Sequence, residues 1–155
     1  MRGAQASKRT IVPDPVYNSV EVTKLVNTVM LHGKKSTAQK LVYQALEAAS
    51  KKVDVKPLEL LEGALNNVKP GLEIRSRRVG GANYQVPVVV PDERQVALAL
   101  RWIIVGCRKK KGQDFVTLLG DELVSAYKGE GDAVRQKTDT ERMAEANKAF
   151  AHFRW

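Results

Sequence analysis

Residues 72–90 read LEIRSRRVGGANYQVPVVV, and their pattern decides the fold. Stretches 72–79 and 84–90 are alternating or β-branched, the pattern of strands, and Gly80-Gly81-Ala82-Asn83 between them has hairpin-turn chemistry. Pro87 has no N–H to give to a ladder, so its strand has a free edge. No third strand is legible in the sequence. A two-stranded ribbon alone is marginal in water and must lean on helices or on a ligand.

On either side the period is helical. Upstream, Asp14-Pro15 marks a turn, and Val22, Leu25, Val26, Val29 and Met30 share one helix face. Asn18 and Glu21 have the spacing of a capping box, and His32-Gly33 closes that helix. A second helix is expected to open at Ser36, with Gln39 completing another capping box and Ala38, Leu41, Val42, Ala45, Leu46 and Ala49 inward. Only Gly33-Lys34-Lys35 separates the two, so they are antiparallel or sharply angled neighbours. Pro57 suits the first turn of a third helix, with Leu58, Leu61, Leu65 and Val68 inward and Lys69-Pro70-Gly71 as its stop.

Downstream, Pro91-Asp92 opens a fourth helix with Val96, Leu100, Ile103, Ile104 and Cys107 inward. It ends in Arg108-Lys109-Lys110-Lys111-Gly112, where cations suit the helix dipole. A fifth helix carries Phe115, Leu119, Leu123 and Tyr127 and breaks at Gly129 and Gly131. A last helix is expected to begin near Asp132 or Thr138 and run to Trp155, with Met143, Ala146, Phe150 and Phe153 on one side. The expected fold class is mainly α: a helical bundle of about six helices with one protruding two-stranded antiparallel β-ribbon. Residues 1–155 read as a single domain, with a flexible basic arm at 1–13, the ribbon at 72–90 and a C-terminal helical segment at 132–155.

Composition narrows the function. The 155 residues carry 26 Lys and Arg against 17 Asp and Glu, a formal charge of +9. Hydrophobic residues at 43 % supply a core, which excludes a wholly disordered chain. No apolar run approaches the ~20 residues that span a bilayer. One cysteine excludes an internal disulfide and a cysteine-based zinc site. The opening MRGAQASKRTIVPDP holds no apolar stretch of the secretory type, so the expectation is a chain working in a reducing cytoplasm against a polyanion.

Catalytic chemistry is hard to place. His32 and His152 each lack a second ligand at metal spacing, so neither a catalytic nor a metal site is expected, and no cofactor. Cys107 lies on an apolar helix face and is expected to be inert. Gly33-Lys34-Lys35-Ser36 resembles the tail of a phosphate-binding loop, but its upstream glycine and preceding strand are missing.

The basic clusters are more informative. Arg75 and Arg77 share one strand face, while Ser76 and Arg78 share the other, so a ribbon here cannot bury all its arginines against a core. Guanidinium forks match phosphate oxygens and stack on unpaired bases. Edge protection is the simpler alternative, but glutamate and lysine would serve for that. At the tip, Gly80 and Gly81 let backbone approach a nucleic-acid strand closely. Tyr84 is expected to pack against Arg78 or a helix, or to stack on a base. Lys34 and Lys35 stand at a helix N-terminus, where a phosphate would relieve their unfavourable alignment with the dipole; a solvated turn is the alternative. Arg94, Arg101 and Arg108 fall seven apart and drift only slightly around the fourth helix, forming a basic ridge or an ordinary solvated face. The run Thr138-Asp139-Thr140-Glu141 is acidic and suits solvent or a protein neighbour.

Several strings together identify a family. They are Asp14-Pro15, Gly33-Lys34-Lys35 before the Ala38 helix, SRRVGGANYQVPV at 76–88, Ala99-Leu100-Arg101-Trp102-Ile103, and RMAEANKAFAHFRW at 142–155. They span nearly the whole chain, which resembles the bacterial branch of the small-ribosomal-subunit protein seven family. The resemblance implies a helical bundle with an extended ribbon. It also implies direct, early binding of small-subunit rRNA and nucleation of folding of the subunit's head. By resemblance, rRNA contact falls to Lys8, Arg9, Lys34, Lys35, Arg75, Arg77, Arg78, Arg94, Arg101, Trp102 and Arg108. Proximity to exit-site tRNA falls to Gly81, Ala82, Asn83, Tyr84, Arg142 and Lys148. The mRNA path and neighbouring head and platform proteins are implied partners, and a membrane is not. Some family members also repress their own message.

The expected mechanism is scaffolding: cations held at set separations clamp one fold of an RNA junction, and counterion release makes binding fall steeply with salt. Replacing Arg75, Arg77 and Arg78 together is expected to weaken rRNA binding while leaving thermal stability nearly unchanged. Three rivals remain open. A DNA-bending protein would use the ribbon in a minor groove, but the tip lacks an apolar wedge. A helix-turn-helix repressor would read DNA with 36–49, through Gln39, Lys40, Gln44 and Glu47. An enzyme would need a pocket of perturbed ionisable groups.

Overall fold

The computed structural model describes residues 3, 6–7 and 9–153. Its elements are α1 (Val20–Val29), α2 (Lys35–Val53), α3 (Pro57–Val68), β1 (Leu72–Val79), β2 (Ala82–Val89), α4 (Asp92–Lys109), α5 (Phe115–Tyr127) and α6 (Asp132–Ala146), followed by a 3-10 helix, Lys148–Phe153. The mainly α fold with one antiparallel two-stranded ribbon is as the sequence led us to expect. Among the described residues, no helix is long and apolar enough to cross a membrane.

Helix α5 occupies the middle of the bundle and touches α2, α3, α4 and α6. Its Leu119 and Leu123 are fully buried among Leu46, Leu61, Leu65 and Ile103. Gly63 permits the close approach of α3 to α5: a Cβ there would lie 2.6 Å from the Tyr127 ring. The short connection between α1 and α2 holds them as contacting neighbours through left-handed backbone at His32 and Gly33.

Both expected capping boxes are absent. Asn18 is left-handed (φ 48°), Ser19 takes the N-cap position of α1, and neither α1 nor α2 has a side-chain cap. Helix α2 begins one residue before Ser36, so Ser36 already lies in its first turn. The N-terminal segment is instead tied down by Asp14, only 3 % exposed. Its carboxylate accepts the Val16 and Tyr17 amides at 3.1 Å and the Tyr43 hydroxyl at 2.6 Å.

The ribbon pairs Leu72 with Val89 through Val79 with Ala82. Its turn is shorter than expected. Gly80 and Gly81 both have positive φ, 57° and 89°, as a two-residue primed turn requires, and Ala82 and Asn83 are already strand. The ribbon leans on α6 and on the 3-10 helix. Glu141 of α6 accepts the Gly71 amide at 3.1 Å, which gives part of the acidic run a structural partner at the ribbon's root.

The last helix does not run to Trp155. Helix α6 stops at Ala146, and Asn147 turns its amide group back to the Met143 carbonyl at 2.8 Å. The 3-10 turn that follows eclipses residues three apart, so Phe150 and Phe153 fall on one side and meet the Tyr84 ring at 5.3 and 5.0 Å. Met143 and Ala146, expected with them, are exposed; Ala144 is buried instead.

Candidate nucleic-acid interface

The two ribbon faces are unlike each other. Directly opposed residues project to the same side, so register puts Glu73, Arg75, Arg77, Tyr84 and Val86 on one face. Ser76, Arg78, Asn83 and Gln85 share the other. The first face is packed. Val86 is fully buried, and the C-terminal aromatics cover Tyr84. On the second face those four residues, towards the tip, are all exposed, while Pro87 nearer the root is buried and Ile74 half-buried; the Arg78 side chain has no ion-pair or hydrogen-bond partner among the described residues. At the tip, Gly81, Ala82 and Asn83 are exposed, whereas Tyr84 is half-buried against helix, one of the two placements expected for it.

Glu73 was not legible as a site residue. It is 7 % exposed and accepts from Arg75 and Arg94 at once. Arg75 Nε donates to Oε1 at 2.7 Å, and Arg94 Nε donates to Oε2 at 2.9 Å. Burial alone would push this carboxyl up, but the two guanidiniums outweigh it and hold Glu73 below the ordinary carboxylate value. Arg75 is therefore not a purely external group. Removing Arg75, Arg77 and Arg78 together would also take away one of the two guanidiniums that Glu73 accepts from. Its one sequence signal was a lone acid two residues before an arginine, on the same strand face.

The expected ridge on α4 divides in the same way. Arg94 reaches Glu73, and Arg108 Nη2 donates to the Val29 carbonyl at 2.8 Å, fastening α4 to the end of α1. Arg101 between them is exposed with no partner among the described residues. Trp102 is half-buried against the core and lines a cavity of about 260 Å³ between α4 and α6 with Arg135 and Asp139. Lys110 turns inward to Glu122 at 2.7 Å and Asp132 at 3.3 Å. Glu122 is 1 % exposed and also accepts the Ala133 amide, so it anchors the start of α6. Hydrogen bonding to Glu122 raises the Lys110 ammonium, and burial pushes the Cys107 thiol up to about 12.

Lys34 and Lys35 are exposed at the start of α2, where no side chain caps the first-turn amides. Arg9 is exposed and lines a groove with Ile11, Lys24 and Asn27. Arg142 is exposed on α6, and Lys148 pairs with Glu145 at 3.2 Å. Lys8, Arg154 and Trp155 lie outside the described residues. Among the described residues, no group of three or more His, Cys, Asp or Glu side chains could hold a metal ion.

The sequence matches the family described as ribosomal protein S7p/S5e over residues 1–148. The chain belongs to the ribosomal protein S7p/S5e family. It is similar, over its full length and theirs, to proteins named small ribosomal subunit protein uS7. Identity is 55 % with the one from Kosmotoga olearia, 54 % with that from Thermosipho africanus and 52 % with that from Thermotoga maritima, each covering 100 % of both chains. The S7p/S5e family is structural, not enzymatic.

Proposed function

We propose that this S7p/S5e chain is a structural constituent of the small ribosomal subunit that binds small-subunit rRNA directly and nucleates folding of the subunit head. The observation that carries the reading is the outer half of the ribbon: Tyr84 and Val86 fix one face to the body, and the other face presents Arg78 among the exposed Ser76, Asn83 and Gln85. Lys34, Lys35 and Arg101 add exposed cations on other elements of the same body. A rigid body with separated cations favours one RNA fold, because side chains cannot read the deep A-form groove directly. The ribbon tip at Gly81, Ala82 and Asn83, with Arg142 and Lys148, is assigned to the neighbourhood of exit-site tRNA and the mRNA path. Tyr84 supports that tip from behind. Arg9, Arg77 and Trp102 join the rRNA contacts, and head and platform proteins are the neighbours. The setting is the cytoplasmic ribosome.

The test is binding to a small-subunit rRNA transcript and to duplex DNA across a salt series. We expect rRNA to be preferred at equal salt, with affinity falling by about 10³–10⁵ between ~50 and ~200 mM if ~6–10 phosphates are engaged. The triple variant Lys34→Ala, Lys35→Ala, Arg78→Ala should weaken rRNA binding and flatten the salt slope by roughly two. Its melting temperature should hardly move, because these side chains have no partners among the described residues. Equal affinity for duplex DNA would return the chain to the DNA-bending alternative.

A further inference from the structure

Glu73 poses a charge problem. A cation-presenting ribbon carries a buried carboxylate in its packed face, with two of the expected rRNA-contact arginines drawn onto it. If that carboxylate only neutralised them, it would work against binding. The atoms used argue otherwise. Arg75 approaches Oε1 with Nε and Nη2, and Arg94 approaches Oε2 with Nε. A guanidinium has more N–H donors than that, arranged in a planar fork. Neither arginine side chain has a partner other than Glu73 among the described residues. The two arginine side chains are 48 % and 46 % exposed, whereas the Glu73 side chain is 9 % exposed. One carboxylate thus joins a guanidinium from β1 to a guanidinium from α4, and two cations against one anion leave a net positive charge.

We propose that Glu73 is a positioning residue: it holds the half-exposed Arg75 and Arg94 guanidiniums side by side, with N–H donors to spare, as a preorganised clamp for a phosphodiester of the RNA backbone at the ribbon's root. This rests on the rRNA-binding reading and deepens it. Held by Nε, each fork loses little further side-chain freedom when it meets a phosphate, and ordering such long side chains is a principal cost of binding. The clamp also ties the ribbon to α4, so a phosphate seated there reports the separation of two elements.

Glu73→Gln gives opposite signs for the two accounts, because it raises the net charge by one. Simple neutralisation predicts tighter rRNA binding and a steeper salt slope. The clamp predicts binding about tenfold weaker at 150 mM salt, with the slope lower by roughly one. Lost stability alone is separated by Val42→Ala, a buried substitution on α2 away from the ribbon, which should lower the melting temperature and keep the wild-type slope. If Glu73→Gln does not fold, Arg94→Lys serves instead: it keeps the charge and an ion pair to Glu73 but places its one ammonium on the carboxylate. We expect it to weaken binding severalfold. Wild-type binding with unchanged or tighter binding by Glu73→Gln, or by Arg94→Lys in its place, overturns the clamp alone. A wild-type chain that does not bind the rRNA transcript at all overturns the functional reading beneath it.

Discussion

Glu122 and Lys110 form an unequal pair. The carboxylate is buried to 1 %, while the lysine side chain is 40 % exposed. Removing the acid by Glu122→Ala leaves Lys110 with the exposed Asp132 and water, and leaves the Ala133 amide without its acceptor. That loss is about 1–3 kcal/mol. Removing the lysine by Lys110→Met strands a buried charge, which costs about 3–5 kcal/mol. Urea unfolding at neutral pH should therefore rank Lys110→Met below Glu122→Ala; the reverse order would mean that Glu122 is solvated from another side. Glu73 makes a pH prediction. Its folded value lies below its ordinary value of 4.5, so its contribution to stability is present above pH 4.5 and fades as pH falls through the folded value. Glu73→Gln should flatten the stability profile in that acid window and leave its shape near neutrality unchanged. The Cys107 thiol, at about 12, carries almost no thiolate at pH 8 and should resist a thiol reagent until the protein is unfolded.

At the scale of elements, the ribbon and the 3-10 helix stand or fall together. Tyr84 meets both Phe150 and Phe153, and each aromatic pair contributes about 0.5–1.5 kcal/mol beyond its buried area. The double variant Phe150→Ala, Phe153→Ala should lower amide-exchange protection across β1 and β2 by roughly tenfold or more. Protection in α2 and α5 should hold. Loss of protection throughout would mean that the ribbon is continuous with the core. This dependence was half legible. The alternation at 72–90 revealed two strands needing support, since a ribbon without a third strand cannot stand alone. The support itself was hidden, because Phe150 and Phe153 fit a helical stripe as well as a 3-10 turn. The Tyr84 ring opposite them meets both in the 3-10 turn. The capping boxes misled for a related reason. Asn18 and Ser36 have the right spacing, but tertiary ties through Asp14, and left-handed backbone at His32 and Gly33, set the helix starts instead. Apolar faces were legible because burial enforces their period; buried acids were not, because Glu73 and Glu122 differ from surface acids only in what folds over them.

Across the whole molecule, α5 sets the separations on which a scaffold depends. It touches α2, which begins at the exposed lysines, α4, which carries Arg101, and α6, on which the ribbon leans. Leu123 sits in its fully buried face. Leu123→Ala opens a cavity and should cost about 2–5 kcal/mol. The exposed cations are untouched by that change, so the number of phosphates engaged should be the same and the salt slope for rRNA should match the wild type. Affinity should fall only as far as the cavity loosens the body. Saturating RNA should also recover part of the lost stability by mass action, about 2.7 kcal/mol at a free concentration a hundred times Kd. A melting series with and without the rRNA transcript measures both effects. If the slope itself drops in Leu123→Ala, the cations are not carried on a body of fixed shape, and the RNA is organising the protein rather than the reverse.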